Sequence, residues 1–258
     1  MTVAGKSFYL SETGCVTNRP ENTLFCDGQA FSDTLLRVCD NSVFAHTAEA
    51  QDGFISLKGG IRAGVCGDFS GGGMPVVTSI NLRVPRQVTG CADPLLRLGL
   101  CGMLIAGPPG SGKTTVLRDL IRSLSLSGNR ITVIDSRREI SGGAGEYAFD
   151  LGDNTDVMFI SDRAKGAQMA LRSMYPQIIA FDEVGTLAEV RALLEAFNSG
   201  VCVITTAHAG AVSDMAKRPV TRELIASGII EKIAFLPGGI GQTPGIFDAN
   251  EVINGSNT

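Results

Sequence analysis

From about residue 100 onward, short apolar runs alternate with stretches in which apolar residues recur at helical spacing. Cys101–Ala106 reads as a buried strand, followed by a glycine loop and a helix from Lys113 to about Ser125. Arg130–Ile134 is a second strand, Asp162–Met174 a helix and Gln177–Phe181 a third strand. Thr186–Asn198 is amphipathic: Leu187, Val190, Leu193, Leu194 and Phe197 share one face, and Thr186 with Glu189 forms a capping box. Val201–Thr206 is a fourth strand, Ser213–Ala226 a helix and Ile229–Leu236 a final strand. Apolar strands alternating with helices predict a mostly parallel sheet covered on both faces. The glycine- and asparagine-rich stretch after Pro237 predicts a loose tail.

Residues 1–90 have a different texture, with short apolar runs broken by glycine. Phe31–Cys39 and Ser42–Ala50 read as short helices. Phe54–Leu57, Ile61–Cys66 and Val76–Val84 read as strands, with turns at Gly59-Gly60 and Gly71-Gly72-Gly73. The expectation is therefore a small α+β domain over 1–90 and an α/β domain over 91–258.

Composition narrows the classes. An apolar fraction of 44% and a charged fraction of 19% suit a folded globular chain. The net charge is -4, and no block of lysine or arginine supplies the basic footprint of a nucleic-acid binder. Cys15, Cys26, Cys39, Cys66, Cys91, Cys101 and Cys202 form no C-x-x-C pair, which fits reduced thiols in a cytoplasmic protein better than a disulfide framework or zinc knuckle. Cys101 and Cys202 lie in apolar runs and read as small core residues. The start of the chain lacks the pattern of a signal peptide. No apolar run approaches the ~20 residues that cross a bilayer, so membrane association is expected through a protein partner.

The segment Gly107, Pro108, Pro109, Gly110, Ser111, Gly112, Lys113, Thr114 matches the phosphate-loop pattern G-x-x-x-x-G-K-[ST], with Thr115 continuing it into the helix. Glycines let backbone N–H groups converge on phosphate oxygens without a Cβ in the way. The helix start adds its positive end. Lys113 would place a charge on the β/γ-phosphates of ATP and Thr114 a hydroxyl on Mg2+. Ile178–Glu183 is an apolar strand ending in two acids, which at the carboxyl end of a parallel strand face the ligand crevice. Asp182 is expected to hold the Mg2+ shell and Glu183 to orient and deprotonate the attacking water. Two more strand ends are polar. Thr205, Thr206 and His208 are placed to sense the γ-phosphate, His208 otherwise only capping its strand. Asp135, Arg137, Arg138 and Glu139 either add an acid to the water- or metal-positioning shell or form a surface charge cluster.

With these motifs the chain resembles the stage III sporulation protein AA family, within the type II and type IV secretion ATPases. The resemblance runs from about Asp33 to Leu236. It rests on Gly53–Gly67, Ser79–Val84, Thr114–Ser125, Val133–Gly142, Leu151–Val157, Leu171–Gly185 and Thr205–Gly210. LRSMYP before the acidic strand is its most specific part. The resemblance implies a RecA-like ATPase domain in a hexameric cytoplasmic enzyme, peripheral at a membrane-channel protein between mother cell and forespore. At two positions the chain departs from the family pattern. Ser136 stands where an acid is usual, and Asn154 stands two residues before Asp156 where arginine is usual. Both predict fewer charges near the phosphates.

Phosphoryl transfer develops charge that a lysine and a metal only partly neutralise, and a positioned arginine typically adds ~10³–10⁵ in rate. Arg83 and Arg86, at the end of the strand Ile80–Val84, are the expected donors, from a neighbouring subunit; Arg62 is a third choice and Arg172 is expected to pair locally. Secretion ATPases place arginines in comparable first-domain positions. Two other readings stand beside the motor ATPase: a nucleotide-binding assembly scaffold with little hydrolysis, and a recombinase-like ATPase tracking DNA.

Overall fold

The computed structural model describes residues 26–142, 148–238 and 242–255, preceded by four two-residue strands. Strand β1 (Thr2–Val3) pairs antiparallel with β2 (Lys6–Ser7), and β3 (Tyr9–Leu10) with β4 (Val16–Thr17). Cys15 lies outside the described residues. The chain divides into two compact units, Met1–Leu57 with Ile61–Val84, and Lys58–Gly60 with Pro85–Thr258.

In the first unit, α1 (Gly28–Val38) starts where the Asp27 carboxylate accepts a hydrogen bond from the Ala30 amide, a side-chain N-cap. The single helix expected over Ser42–Ala50 is instead a tight 3₁₀ turn, Val43–His46, running into the short α2 (Thr47–Gln51). Ser42 makes no side-chain cap bond, and the Thr47 hydroxyl bonds back to the Val43 carbonyl, so the wider α geometry begins only there. Strands β5 (Phe54–Ser56), β6 (Arg62–Asp68) and β7 (Val76–Arg83) form an antiparallel meander. Val38, Cys39, Ala50, Ile55, Ala63 and Val65 are its buried core.

The second unit begins with α3 (Asp93–Leu96) and β8 (Met103–Gly107), then α4 (Lys113–Leu126), β9 (Ile131–Ile134) and β10 (Thr155–Met158). Next come α5 (Arg163–Ser173), β11 (Ile178–Phe181), α6 (Leu187–Asn198) and β12 (Cys202–His208). The run closes with α7 (Val212–Lys217), α8 (Pro219–Ala226), β13 (Lys232–Phe235), β14 (Gly245–Asp248) and α9 (Ala249–Asn254). The sheet order is β10-β9-β11-β12-β8-β13-β14, parallel throughout except for β14 against β13. This is the expected α/β fold with a mostly parallel sheet. Side chains alternate between its faces as strand geometry requires: Leu104 and Ala106 enter one apolar cluster, Met103 and Ile105 the other.

Several expectations need correction. The helix expected over Ser213–Ala226 is two helices, because Pro219 has no N–H and holds the preceding Arg218 in an extended conformation. The segment after Pro237 is not wholly loose, since β14 and α9 lie within it. On α6 the buried apolar residues are Val190, Ala192, Leu193 and Ala196, whereas Leu187 and Phe197 are largely exposed. The edge strand β10 was not expected; its sequence TDVM is only partly buried and gives a weak apolar signal.

The order of the central strands positions the chemistry. β12 lies between β8, which leads into the phosphate loop, and β11, which ends in the acids. The end of β12 therefore stands between lysine and carboxylates.

Candidate functional site

The phosphate loop follows β8 without a break. A Cβ on Gly107 would come within 2.4 Å of the Leu236 carbonyl oxygen and 2.7 Å of Ser111 Oγ, so only glycine fits as the strand turns into the loop. Gly110 and Gly112 have φ of +75° and +93°, a region side chains avoid, and Gly112 caps α4. Ser111 Oγ is buried without a hydrogen-bond partner among the described residues. Pro109 and Gly110 are exposed at the tip, and Thr114 and Thr115 are half-buried at the helix start.

Lys113 is buried. Its ammonium donates to the carbonyls of Gly107 (3.0 Å) and Pro108 (2.9 Å) and to His208 Nδ1 (3.0 Å). An ammonium can only donate, so Nδ1 accepts and the ring proton sits on Nε2. Nε2 faces Glu183 Oε1 at 3.4 Å, which makes His208 a bridge from the loop lysine to the second acid.

Asp182 sits among hydroxyls. Thr114 Oγ1 donates to its Oδ2 at 2.7 Å, and Thr206 Oγ1 to its Oδ1 at 2.5 Å. Thr206 Oγ1 also accepts from the Glu183 amide at 2.9 Å. Glu183 has φ +56°, left-handed for a residue with a side chain, and Arg137 Nη1 lies 3.7 Å from its Oε2. Ser136, Arg137, Glu139 and Arg163 line one crevice with Asp182 and Glu183. The structure thus brings together Lys113, Thr114, Asp182, Glu183 and His208, with Glu139 on the same crevice.

Asp135 lines the same crevice, but the bonds its carboxylate accepts come from its own loop. Its Oδ1 accepts from the Glu139 amide (3.0 Å), and its Oδ2 from the Ser141 amide (2.8 Å) and hydroxyl (2.7 Å). These three bonds tie the loop that follows β9 back onto its strand end. Thr205 likewise turns away, donating to the Phe181 carbonyl at 2.8 Å.

Asn154 corrects another expectation. Its Nδ2 donates to the Ser125 carbonyl and its amide to Ser125 Oγ, both at 3.0 Å, near the far end of α4. At 1.5 Å rise per residue that is about 18 Å along the helix from Lys113. Within the chain, the backbone position of Asn154 is thus remote from its own phosphate loop. Ser136, by contrast, does line the crevice.

Arginines that sequence reasoning passed over hold the main chain around this site. Arg118, buried in α4, donates to the carbonyls of Ile140 (2.7 Å), Arg86 (2.6 Å) and Glu139 (2.6 Å) and lies over the Phe149 ring. Burial pulls its guanidinium below the ordinary range, opposed by the charges of Asp135 and Asp182. Arg163 donates to the Asp182 carbonyl (2.6 Å), and Arg218 to the His208 carbonyl (2.8 Å). Each polar strand end thus has an arginine on its backbone. No sequence spacing announces this, because the partners are loop carbonyls far along the chain. Nearby, the Cys91 thiol is pushed up to about 12 by burial and by Asp119. Of the expected arginine donors, Arg83 is exposed in β7, and Arg86 is exposed with its carbonyl held by Arg118. Arg62 lies over the Phe54 ring at 3.6 Å. Arg172 is exposed in the last turn of α5.

The fold is that of known secretion and pilus ATPases. The Legionella pneumophila ATPase DotB superposes with a TM-score of 0.58 at 18% identity, covering 95% of this chain and 78% of DotB. The pilus retraction motor PilT, solved with bound ADP, superposes with a TM-score of 0.57 at 18% identity, covering 99% of this chain and 81% of PilT. At that identity the likeness establishes the RecA-like fold. In sequence, the chain is 37% identical to stage III sporulation protein AA of Bacillus subtilis (strain 168) over 208 residues, 74% of this chain and 67% of that protein. The family model described as sporulation stage III, protein AA matches residues 12–253. With nearly the whole chain matched, this protein belongs to the sporulation stage III protein AA family.

Proposed function

We propose that the chain is a Mg2+-dependent ATPase that works as a ring, a hexamer, on a secretion-like channel of the sporulation apparatus. The observation that carries the catalytic part is the Asp182 carboxylate bridging the hydroxyls of Thr114 and Thr206, with Glu183 and His208 beside the loop lysine. Among the described residues no group of three or more His, Cys, Asp or Glu side chains assembles as a ready metal cage. Thr114 and Asp182 instead offer adjacent oxygens, which suits Mg2+ that completes its shell with phosphate oxygens and water. Bound there, Mg2+ would neutralise charge on the β- and γ-phosphates.

The chain's own residues supply the rest. Residues 107–114 present backbone N–H groups at the start of α4 to the phosphates. Lys113 exchanges its loop carbonyls for phosphate oxygens. Glu183 accepts a proton as the water oxygen bonds to the γ-phosphorus and ADP departs. His208 Nε2–H holds the Glu183 carboxylate while Nδ1 follows the position of Lys113. Arg83 and Arg86 are proposed to complete a neighbouring subunit's site. No helix among the described residues is long and apolar enough to cross a membrane, so the proposed channel contact is made through a protein partner.

The test separates binding from chemistry. Lys113→Ala should abolish measurable ATP binding. Glu183→Gln should bind ATP like the parent and hydrolyse it at least ~10²-fold more slowly, the low end for loss of a general base. Unchanged affinity in a folded Lys113→Ala chain, or near-parental turnover in Glu183→Gln, would remove this reading.

A further inference from the structure

The turn that carries Glu183 is held on both sides by one partly buried ion pair. The left-handed φ of Glu183 persists only where its surroundings over-determine it. On the N-terminal side, Arg163 Nη1 donates to the Asp182 carbonyl at 2.6 Å. On the C-terminal side, Glu189 Oε2 accepts from the amides of Gly185 (2.8 Å) and Thr186 (3.0 Å). Arg163 Nε joins the two sides by donating to Glu189 Oε1 at 2.7 Å. The Glu189 side chain is buried and that of Arg163 half-buried, with relative exposures of 8% and 17%. Arg163 also lies 5.7 Å from the Phe181 ring, just before the acids.

A capping role accounts for only half of this. The capping box of α6 needs Glu189 Oε2 and the Thr186 hydroxyl, and both are present. It needs neither Oε1 nor Arg163. A buried ion pair is also weak as a stabilising device, since desolvation offsets most of the attraction. The Glu183 and Val184 amides bond to Thr206 of β12, and the pair adds the ties from Asp182 and from Gly185 and Thr186 to α5 and α6. The planar guanidinium fork reaches the carboxylate through Nε and the carbonyl through Nη1 in one rigid group.

We propose that Arg163 is a positioning residue for hydrolysis, resting on the ATPase reading above. With Glu189 it latches the Asp182–Gly185 turn in the strained conformation that aims the Glu183 carboxylate at His208 and the phosphate loop. The Nε and Nη1 of Arg163 are engaged by Glu189 and by the Asp182 carbonyl, so the proposed role is positioning rather than contact with nucleotide. Its loss should therefore change the rate of the chemical step and leave nucleotide affinity in place.

The experiment measures kcat, KM, ATP affinity and Tm for the parent, Arg163→Ala, Arg163→Lys and Thr186→Ala. Arg163→Ala should lose about 10²-fold in kcat, the scale of an ångström-sized misplacement, with affinity and KM within about threefold of the parent. Arg163→Lys, which keeps one bond of the fork, should recover part of that loss. Thr186→Ala removes the helix cap but not the latch. It should lower Tm and leave kcat near the parent, a separation that a merely structural Arg163 would not produce. The proposal is overturned if folded Arg163→Ala keeps kcat within threefold, or if its defect lies in KM or affinity. If Arg163→Ala fails to fold, Arg163→Lys decides: at least a tenfold loss in kcat with intact binding supports the latch, and parental kcat overturns it. A parent chain that binds ATP without turnover ends the ATPase reading and this role with it, a failure visible before any variant is made.

Discussion

Asp135 and Asp182 stand at the same place on neighbouring parallel strands and are used for opposite ends. Ile134 pairs with Phe181 across β9 and β11, so the two aspartates are the next residues in register. Asp135 is 3% exposed, and its oxygens are taken by the Glu139 amide, the Ser141 amide and the Ser141 hydroxyl of its own loop. Asp182 is half-buried and takes its bonds from Thr114 and Thr206, on the phosphate-loop helix and on β12. The strand end delivers an acid to the crevice in both cases. The next few residues decide whether it looks back at its own chain or across to the ligand. Ser141, six residues on, closes the first loop over its aspartate. After Asp182, the Arg163–Glu189 pair holds the loop from outside and leaves the carboxylate to the hydroxyls.

Substitutions at the two positions should therefore fail in different ways. The largest effect is expected from Asp182→Ala, which should cut ATP turnover by ~10² or more. Its Tm should stay close to the parent, because a half-buried carboxylate with two hydroxyl partners gives up little on removal. A large fall in Tm with turnover preserved would reverse the assignment of the two acids. Asp135→Ala comes next, and its effect should appear in stability. It strands buried donors that had charged acceptors, a loss of about 3 kcal/mol. Thermal unfolding should show it as a drop of several degrees, with kcat per folded molecule within a few-fold of the parent. The smallest effect is Ser141→Ala, which removes one of the three donors to Asp135 among the described residues. About 1 kcal/mol is expected, or roughly 2–4 °C in Tm for a unit of this size. A Ser141→Ala chain that melts like the parent would mean that Asp135 is held by its other contacts alone.

The phosphate loop was legible in the sequence because phosphate binding restricts the residue types themselves: a glycine where a Cβ would strike Leu236, and glycines where φ turns positive. Asp182 and Glu183 were legible as acids ending an apolar strand, and the cap at Thr186 and Glu189 as a local pattern. Asp135 carried the same signal as Asp182, and nothing in strand periodicity distinguishes an acid spent on its own loop. Arg163 carried no signal at all, since its partners lie 19 and 26 positions away on other elements. At Asn154 the family pattern, which has arginine there, suggests a charge near the phosphates, whereas in this chain β10 starts beside the end of α4. The edge strands β10 and β14 escaped because an edge gains little burial and so needs little apolar patterning. The break at Pro219 was visible in the sequence and needed only the rule that proline interrupts a helix.

The β11 strand end, and not the β9 strand end, is proposed to meet the metal–nucleotide complex. Electron paramagnetic resonance of Mn2+ with a non-hydrolysable ATP analogue tests it directly, using the parent, Asp182→Asn and Asp135→Asn. The parent and Asp135→Asn should retain the bound Mn2+ signal at similar affinity, while Asp182→Asn should weaken it by at least ~10-fold, the scale expected for loss of a group that holds the metal or its shell. Equal Mn2+ affinity in Asp182→Asn and the parent, or selective loss in a folded Asp135→Asn, would contradict it.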